Sequence, residues 1–172
     1  MTDWEAVVRQ YEGIVQRTVQ RLVGNHADAW DCVQETFLEA VRIDRRKPVR
    51  NWPGLLRHLA TTRALDLLRV RSRHRARCNP EADPAEVIGR EPNPSGRAQA
   101  SELADRLRAA LGQLSSRQAD VFCLTCFEQM TAEEIAERLR VKPTAVRMLL
   151  CRARARLRQL LQPINDARER DH

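Results

Sequence analysis

Apolar positions along this chain recur at steps of three and four residues, the period of a helix that buries one side. Trp4, Val7, Val8, Tyr11, Ile14, Val15, Val19 and Leu22 form the first such stripe. Thr2-x-x-Glu5 predicts a capping box ahead of it, and Gly24-Asn25 predicts its stop. Ala29, Val33, Phe37, Ala40 and Val41 form a second stripe, with Asp28 as the expected N-cap. Asp44 to Asn51 reads as a basic loop containing proline. Pro53 suits the first turn of a third helix running to about Arg77, with Leu55, Leu56, Leu59, Ala60 and Leu67 on its apolar side. Arg63 falls inside that stripe, so either it snorkels to the edge or the helical phase is slightly shifted.

The pattern breaks at Cys78. "CNPEADPAEVIGREPNPSGRAQA" holds four prolines and two glycines and reads as a linker, with room for a short turn at Ala85 to Ile88. A flexible chain of about 20 residues averages roughly 25 Å end to end and stretches to about 70 Å. Helical spacing resumes with Ser101 as the expected cap of a helix carrying Leu103, Leu107, Ala110, Leu111 and Leu114. Ser115-x-x-Gln118 and Thr131-x-x-Glu134 are two more capping boxes. The first opens a helix with Val121, Phe122, Leu124 and Phe127, and the second a short helix with Ile135, Ala136 and Leu139. A last helix starts near Pro143 and ends about Leu161, before a polar tail that begins at Pro163. No strand pattern and no exact repeat is visible. The expected fold is all-α: two small helical domains, 1–77 and 101–163, joined by a flexible linker over 78–100 and followed by a tail over 164–172.

Composition changes this picture in one respect. The net charge is +7, and two of the 30 basic residues are lysines, Lys47 and Lys142. That balance points to a polyanionic partner, nucleic acid or an anionic membrane surface, and arginine suits bidentate phosphate and guanine contacts. Met1 to Leu22 is interrupted by charges, and no apolar run approaches ~20 residues, so a soluble, cytoplasmic protein without membrane insertion is expected. Five cysteines, an odd number, argue against a closed disulfide framework.

Four stretches are candidates for function. "EEIAERLRVKPTAVRMLLCRAR" places two helices around a sharp corner. Val146, Leu150, Ala153, Leu157 and Leu160 or Leu161 share one side of the second helix, and Thr144, Arg147, Met148, Cys151 and Arg152 the other. A helix that reads a DNA groove needs that division, although an amphipathic pair in a bundle has it too; the arginine density tips the balance toward DNA. The corner carries Arg140 where glycine is usual, and a left-handed non-glycine residue there costs roughly 1–2 kcal/mol. "RVRSRHRAR" spreads Arg69, Arg71, Arg73, Arg75 and Arg77 around a helix end suited to phosphates. Asp31, Gln34, Glu35 and Leu38 share the outer side of the second helix, a carboxylate-bearing surface that fits either solvent or a positively charged protein. Cys123-x-x-Cys126 lacks further ligands at zinc spacing and reads as two small buried hydrophobes. No metal, no cofactor and no enzyme site is expected.

Taken together, these blocks resemble the extracytoplasmic-function (ECF) group of bacterial RNA polymerase sigma factors, within the sigma-70 family. "DAWDCVQETFLEAV" is similar to region 2.2, commonly D-A-E-D-L-V-Q-E-T-F-L-x-A, with Trp30 and Cys32 departing from it. "WPGLLRHLATTRALDLLRVRSR" is similar to regions 2.3–2.4, with Leu55-Leu56 for the usual W-L and Thr62 for a frequent Asn. "LGQLSSRQADVFCLTCFEQMTAEEIAERLRVKPTAVRMLLCRARARL" is similar to region 4, with Glu128-Gln129 for its E-G and Leu139-Arg140 for the L-G of its turn.

The resemblance implies a non-catalytic subunit that binds core RNA polymerase and directs promoter recognition. Region 2.2 would dock on the β′ clamp coiled coil through Asp31, Gln34, Glu35 and Leu38. Regions 2.3–2.4 would hold the melted minus-ten element, with Trp52, Arg57, Thr61, Thr62, Arg69 and Arg73 as candidates. Region 4 would read the minus-thirty-five element through Thr144, Arg147, Met148, Cys151, Arg152 and Arg154, and would meet the polymerase β flap. An anti-sigma factor is a candidate further partner. The alternative is a stand-alone helix-turn-helix repressor, which would be expected to dimerise on palindromic half-sites.

Overall fold

The computed structural model of the protein describes residues 2–78 and 97–162, and every regular element among them is a helix. The order is α1 (Trp4–Val23), α2 (His26–Arg46), α3 (Trp52–Cys78), α4 (Arg97–Gln113), α5 (Ser116–Cys126), α6 (Ala132–Leu139) and α7 (Pro143–Leu161). The expected turn at 85–88 and the polar tail lie outside the described residues.

Helices α1, α2 and α3 pack against one another around Val15, Val19, Leu22, Val33, Ala40, Leu56 and Ala60. Their ends differ from the expected ones in instructive ways. Asp3, not Thr2, caps α1 by accepting from the Ala6 N–H at 3.1 Å. The Thr2 hydroxyl instead donates to Asp44 at 2.6 Å, and Glu5 accepts from Arg9 at 2.8 Å, so the Thr2–Glu5 box does not form. Gly24 ends α1 in the left-handed region (φ 72°), where a side chain would be strained. Asn25, not Asp28, caps α2, and Asp28 is left in the first turn to pair with Arg71. Helix α2 runs to Arg46, shortening the expected loop. Arg63 reaches Glu39 at 3.5 Å with a third of its side chain exposed, so it snorkels and the helical phase stands.

The second unit is built on α4 to α7. Helix α4 starts at Arg97, four residues ahead of the expected Ser101 cap. Both capping boxes form: the Ser115 N–H donates to Gln118 at 3.4 Å, and the Thr131 N–H to Glu134 at 2.8 Å. Val121, Leu124, Met130, Ile135, Ala136 and Val146 fill the angle between α5, α6 and α7.

Helix α3 is buried on two sides. Beyond α1 and α2 it also meets α4 and α5, and one apolar cluster runs from Leu65 and Leu68 into Ala110, Leu111, Leu114, Ala119 and Cys123. Gly112 permits this approach: a Cβ there would sit 2.9 Å from the Leu68 carbonyl oxygen.

Candidate nucleic-acid and polymerase interface

The corner between α6 and α7 keeps a glycine's geometry with an arginine. Arg140 has φ 54° and ψ 48°, and the Val141 N–H donates back to the Ala136 carbonyl at 3.0 Å, closing the end of α6. Gln129, before α6, has φ 56°. Among the described residues these are the two non-glycine positions with positive φ. Arg140→Gly is therefore expected to stabilise the fold by about 0.5–1 kcal/mol, the relief of left-handed strain less the added freedom of the unfolded chain. Urea unfolding of both proteins checks this.

Pro143 starts α7 at once after the corner, and Val146, Ala153 and Leu157 lock its inner side. Thr144, Arg147, Met148, Cys151, Arg152 and Arg154 all stand exposed. Helical spacing puts Thr144, Met148 and Cys151 along the middle of that surface, Arg152 on one flank, and Arg147 and Arg154 on the other. Arg147 pairs with Glu133 of α6 at 3.2 Å, and Arg154 borders an apolar groove made by Leu107, Phe122, Leu157 and Leu161.

On α2, Asp31, Gln34, Glu35 and Leu38 are all exposed, Leu38 by 58%. The sequence reading missed Trp30 as part of this surface. It is 48% exposed and lies one and two turns before Gln34 and Leu38, so the outer side is a ridge with apolar ends at Trp30 and Leu38 and with Asp31 and Glu35 along one edge. Its signal was present: a tryptophan between Ala29 and Asp31, off the buried stripe. Cys32 lies behind the ridge, where burial, helped by Glu35, pushes its thiol up to about 11.

The six α3 candidates are placed differently from the α7 set. Trp52 is half-buried, edge-on to Trp4 with ring centroids 5.2 Å apart. Arg57 reaches Glu128 at 3.7 Å. Thr61 is fully buried and Thr62 half-buried, and neither hydroxyl has a hydrogen-bond partner among the described residues. Arg69 is held by Asp66 at 2.6 Å and donates to the Ser116 carbonyl at 3.4 Å. Arg73 is exposed. Arg71, from the same run, is structural: it ties α3 to Asp28 and to the Val23 carbonyl at the end of α1.

Three comparisons with known proteins bear on these surfaces. Residues 7–74 match the family model for sigma-70 region 2, and residues 104–157 match the model for sigma-70 region 4. The chain belongs to the sigma-70 family. It is 35% identical over 161 residues to the ECF RNA polymerase sigma factor SigE of Mycolicibacterium smegmatis, across 94% of this chain and 62% of that protein's length. Among solved structures it is similar in fold to the sigma factor RpoE of Bartonella quintana, crystallised with the anti-sigma factor NepR. That likeness has a TM-score of 0.56 at 20% identity and covers 94% of this chain and 98% of the other.

In family terms, α1 to α3 are region 2 and α4 to α7 region 4. Both cysteines of the C-x-x-C pair lie on region 4's α5, Cys123 buried and Cys126 half-buried, and both are free thiols. Among the described residues no group of three or more His, Cys, Asp or Glu is placed to hold a metal ion.

Two titrating groups sit where region 4 covers region 2. Burial pushes Asp120 up to about 6, with Arg69 opposing, Asp66 adding, and the Cys123 thiol beside it. Burial, with Arg138 adding, lowers His58 to about 4. The signs are opposite. A carboxyl raised by packing holds a proton that the unfolded chain releases, so its contribution is best at low pH and worsens as pH rises toward 6. An imidazole lowered by packing costs stability as pH falls from about 6.5 toward 4. Asp120→Asn is expected to stabilise the protein by roughly 1–2 kcal/mol near pH 7.5 and by much less near pH 4, whereas His58→Gln removes part of the acid-side loss. Unfolding midpoints of the variants across that pH range check both.

Proposed function

We propose that this chain is the sigma subunit of a bacterial RNA polymerase: it binds the core enzyme, carries it to promoters and supports strand opening, with no catalytic site of its own. Region 2.2 on α2 is the docking surface for the β′ clamp, and the groove beside Arg154 is the surface for the β flap. Helix α7 reads the minus-thirty-five duplex, and α3 holds the melted minus-ten strand. The protein works in the cytoplasm with the polymerase, and an anti-sigma factor is a fitting regulator, since the solved relative was crystallised with one.

The observation that carries this reading is the presence of two different exposed surfaces on one chain. A repressor needs the α7 surface, with its arginines and Thr144, but has no use for a carboxylate-edged ridge on a second unit. Carboxylates repel DNA and suit a positively charged protein. The test is run-off transcription with core polymerase on a pool of genomic fragments. Discrete transcripts that require this protein are the expected result. Tight binding of a palindrome by a free dimer, without promoter-specific transcripts, would replace this reading with the repressor.

A further inference from the structure

The middle of the outer side of α7 holds no cation. Thr144, Met148 and Cys151 follow one another there at i, i+4 and i+7, and all three stand exposed, Met148 by 56%. Arginines border this stripe on both flanks, Arg152 and Arg156 on one and Arg147, Arg154 and Arg158 on the other, each of them exposed. No carboxylate lies on α7. Its outer side is therefore an uncharged strip, mostly methyl and sulfur groups, between two cationic rows.

Duplex DNA presents the complement. Its phosphates run along both rims of the major groove, which is about 12 Å wide and admits one helix of about 10–12 Å diameter. On the floor of that groove the apolar feature is the thymine C5-methyl group; the other groups displayed there are hydrogen-bond donors and acceptors. From Thr144 to Cys151 the helix rises about 10 Å, roughly three base-pair steps. All three residues lie in the N-terminal half of α7, the part of a reading helix that reaches base edges.

The chemistry of the strip selects among the bases. A thioether is only a weak acceptor and a thiol only a weak donor, so neither Met148 nor Cys151 can make the paired hydrogen bonds that identify guanine or adenine. Over a thymine methyl both bury apolar surface, and the Thr144 methyl fits the same partner. Over a cytosine they cover the N4 amino group without accepting from it, and a polar group buried unpaired costs free energy. Attraction to thymine and rejection of cytosine therefore act in the same direction.

We propose that this strip reads thymine methyl groups: Met148 and Cys151, with Thr144 beside them, specify A·T pairs at the centre of the minus-thirty-five element, while the flanking arginines hold its phosphates and the guanines at its edges. The proposal rests on the reading of α7 as the minus-thirty-five helix. It implies that specificity at the centre depends on the methyl group itself and not on the hydrogen-bonding pattern of the base pair.

The experiment uses holoenzyme made with the full chain and promoters taken from the run-off transcription. Each thymine of the minus-thirty-five element, on either strand, is replaced in turn by deoxyuridine. That exchange removes the methyl group and leaves every hydrogen-bonding group in place. At one or more central positions the wild type is expected to bind about three- to fivefold more weakly, the worth of one buried methyl group. Met148→Ser and Cys151→Ser are each expected to bind thymine and uracil alike at the position beneath them and to keep the penalty elsewhere. Both positions are exposed, so these variants leave the fold intact. Alkylation of Cys151 by iodoacetamide, located by mass spectrometry, is expected to slow at least tenfold when the holoenzyme sits on a promoter.

Equal binding of thymine and uracil at every position, a penalty that persists in both variants, or promoters with no A·T pair at the centre of the element would overturn methyl reading. Unchanged labelling of Cys151 on a promoter would overturn it too, by placing the strip away from the duplex. Failure of the sigma reading is a separate result, the absence of run-off transcripts from wild-type holoenzyme. In that event duplexes are selected from a random pool by the free chain, and the same deoxyuridine exchanges decide the methyl reading.

Discussion

Asp31→Arg combined with Glu35→Arg is expected to weaken binding to core polymerase at least a hundredfold and to abolish promoter-specific transcripts at ordinary concentrations. The argument starts from exposure. Both carboxylates point to solvent on α2, beside the ridge of Trp30, Gln34 and Leu38, so neither holds the fold together. Changes at such exposed positions alter stability by about 0.5 kcal/mol or less. Against a basic partner the two reversals replace attraction with repulsion in the middle of the contact, where a penalty of about 3 kcal/mol or more is ordinary. That converts to a factor above one hundred. Leu38→Asp should act through lost apolar contact instead, with an effect on dissociation rather than on salt dependence. Co-elution with core polymerase and a titration by fluorescence anisotropy measure the loss, and an unchanged thermal unfolding curve shows that the fold is intact. Normal binding by the double reversal would move the docking surface elsewhere on the chain.

What the sequence made legible follows from the range of the forces involved. Helix existence came through because apolar spacing and capping boxes are local; the Ser115 and Thr131 boxes formed as read. The division of α7 into a buried and an exposed side was legible for the same reason, since an amphipathic stripe divides a helix without outside help. Thr2 illustrates the limit. Its box was locally sound but lost to Asp44, 42 residues away, which offered the hydroxyl a better acceptor. Helix α3 shows a deeper one. Its first apolar stripe was read correctly, but Leu65 and Leu68 belong to a second stripe facing region 4, and arginines between the two blur both. Glu128 was beyond reach: its partner Thr18 is 110 residues distant, and nothing in the local pattern marks a carboxylate as interdomain. The Arg140 corner, an apparent local violation, kept the left-handed geometry because the packing of Ile135, Ala136 and Val146 around it holds α6 and α7 in place.

Arg147→Ala and Arg152→Ala are expected to damage promoter binding in different ways. In a helix-turn-helix the N-terminal residues of the reading helix contact base edges, and later ones run out toward the phosphates. Arg147 is in the first turns of α7, next to Thr144 and Met148; Arg152 is more than a turn further on, on the opposite flank. In the free chain Arg147 is occupied by Glu133, but both side chains are about two-thirds exposed, so the pair is weak and yields readily to a guanine. Truncating Arg147 should therefore cost about 1–3 kcal/mol on promoters taken from the run-off experiment and far less on duplexes altered in the minus-thirty-five element. Truncating Arg152 should weaken holoenzyme binding to all duplexes alike and lower the slope of log affinity against log salt by about one. Glu133→Gln is the internal control, since freeing Arg147 should tighten binding slightly and leave sequence preference unchanged. Competition binding with holoenzyme at several salt concentrations separates these outcomes, and a uniform loss for Arg147→Ala would assign that residue to the backbone instead of the bases.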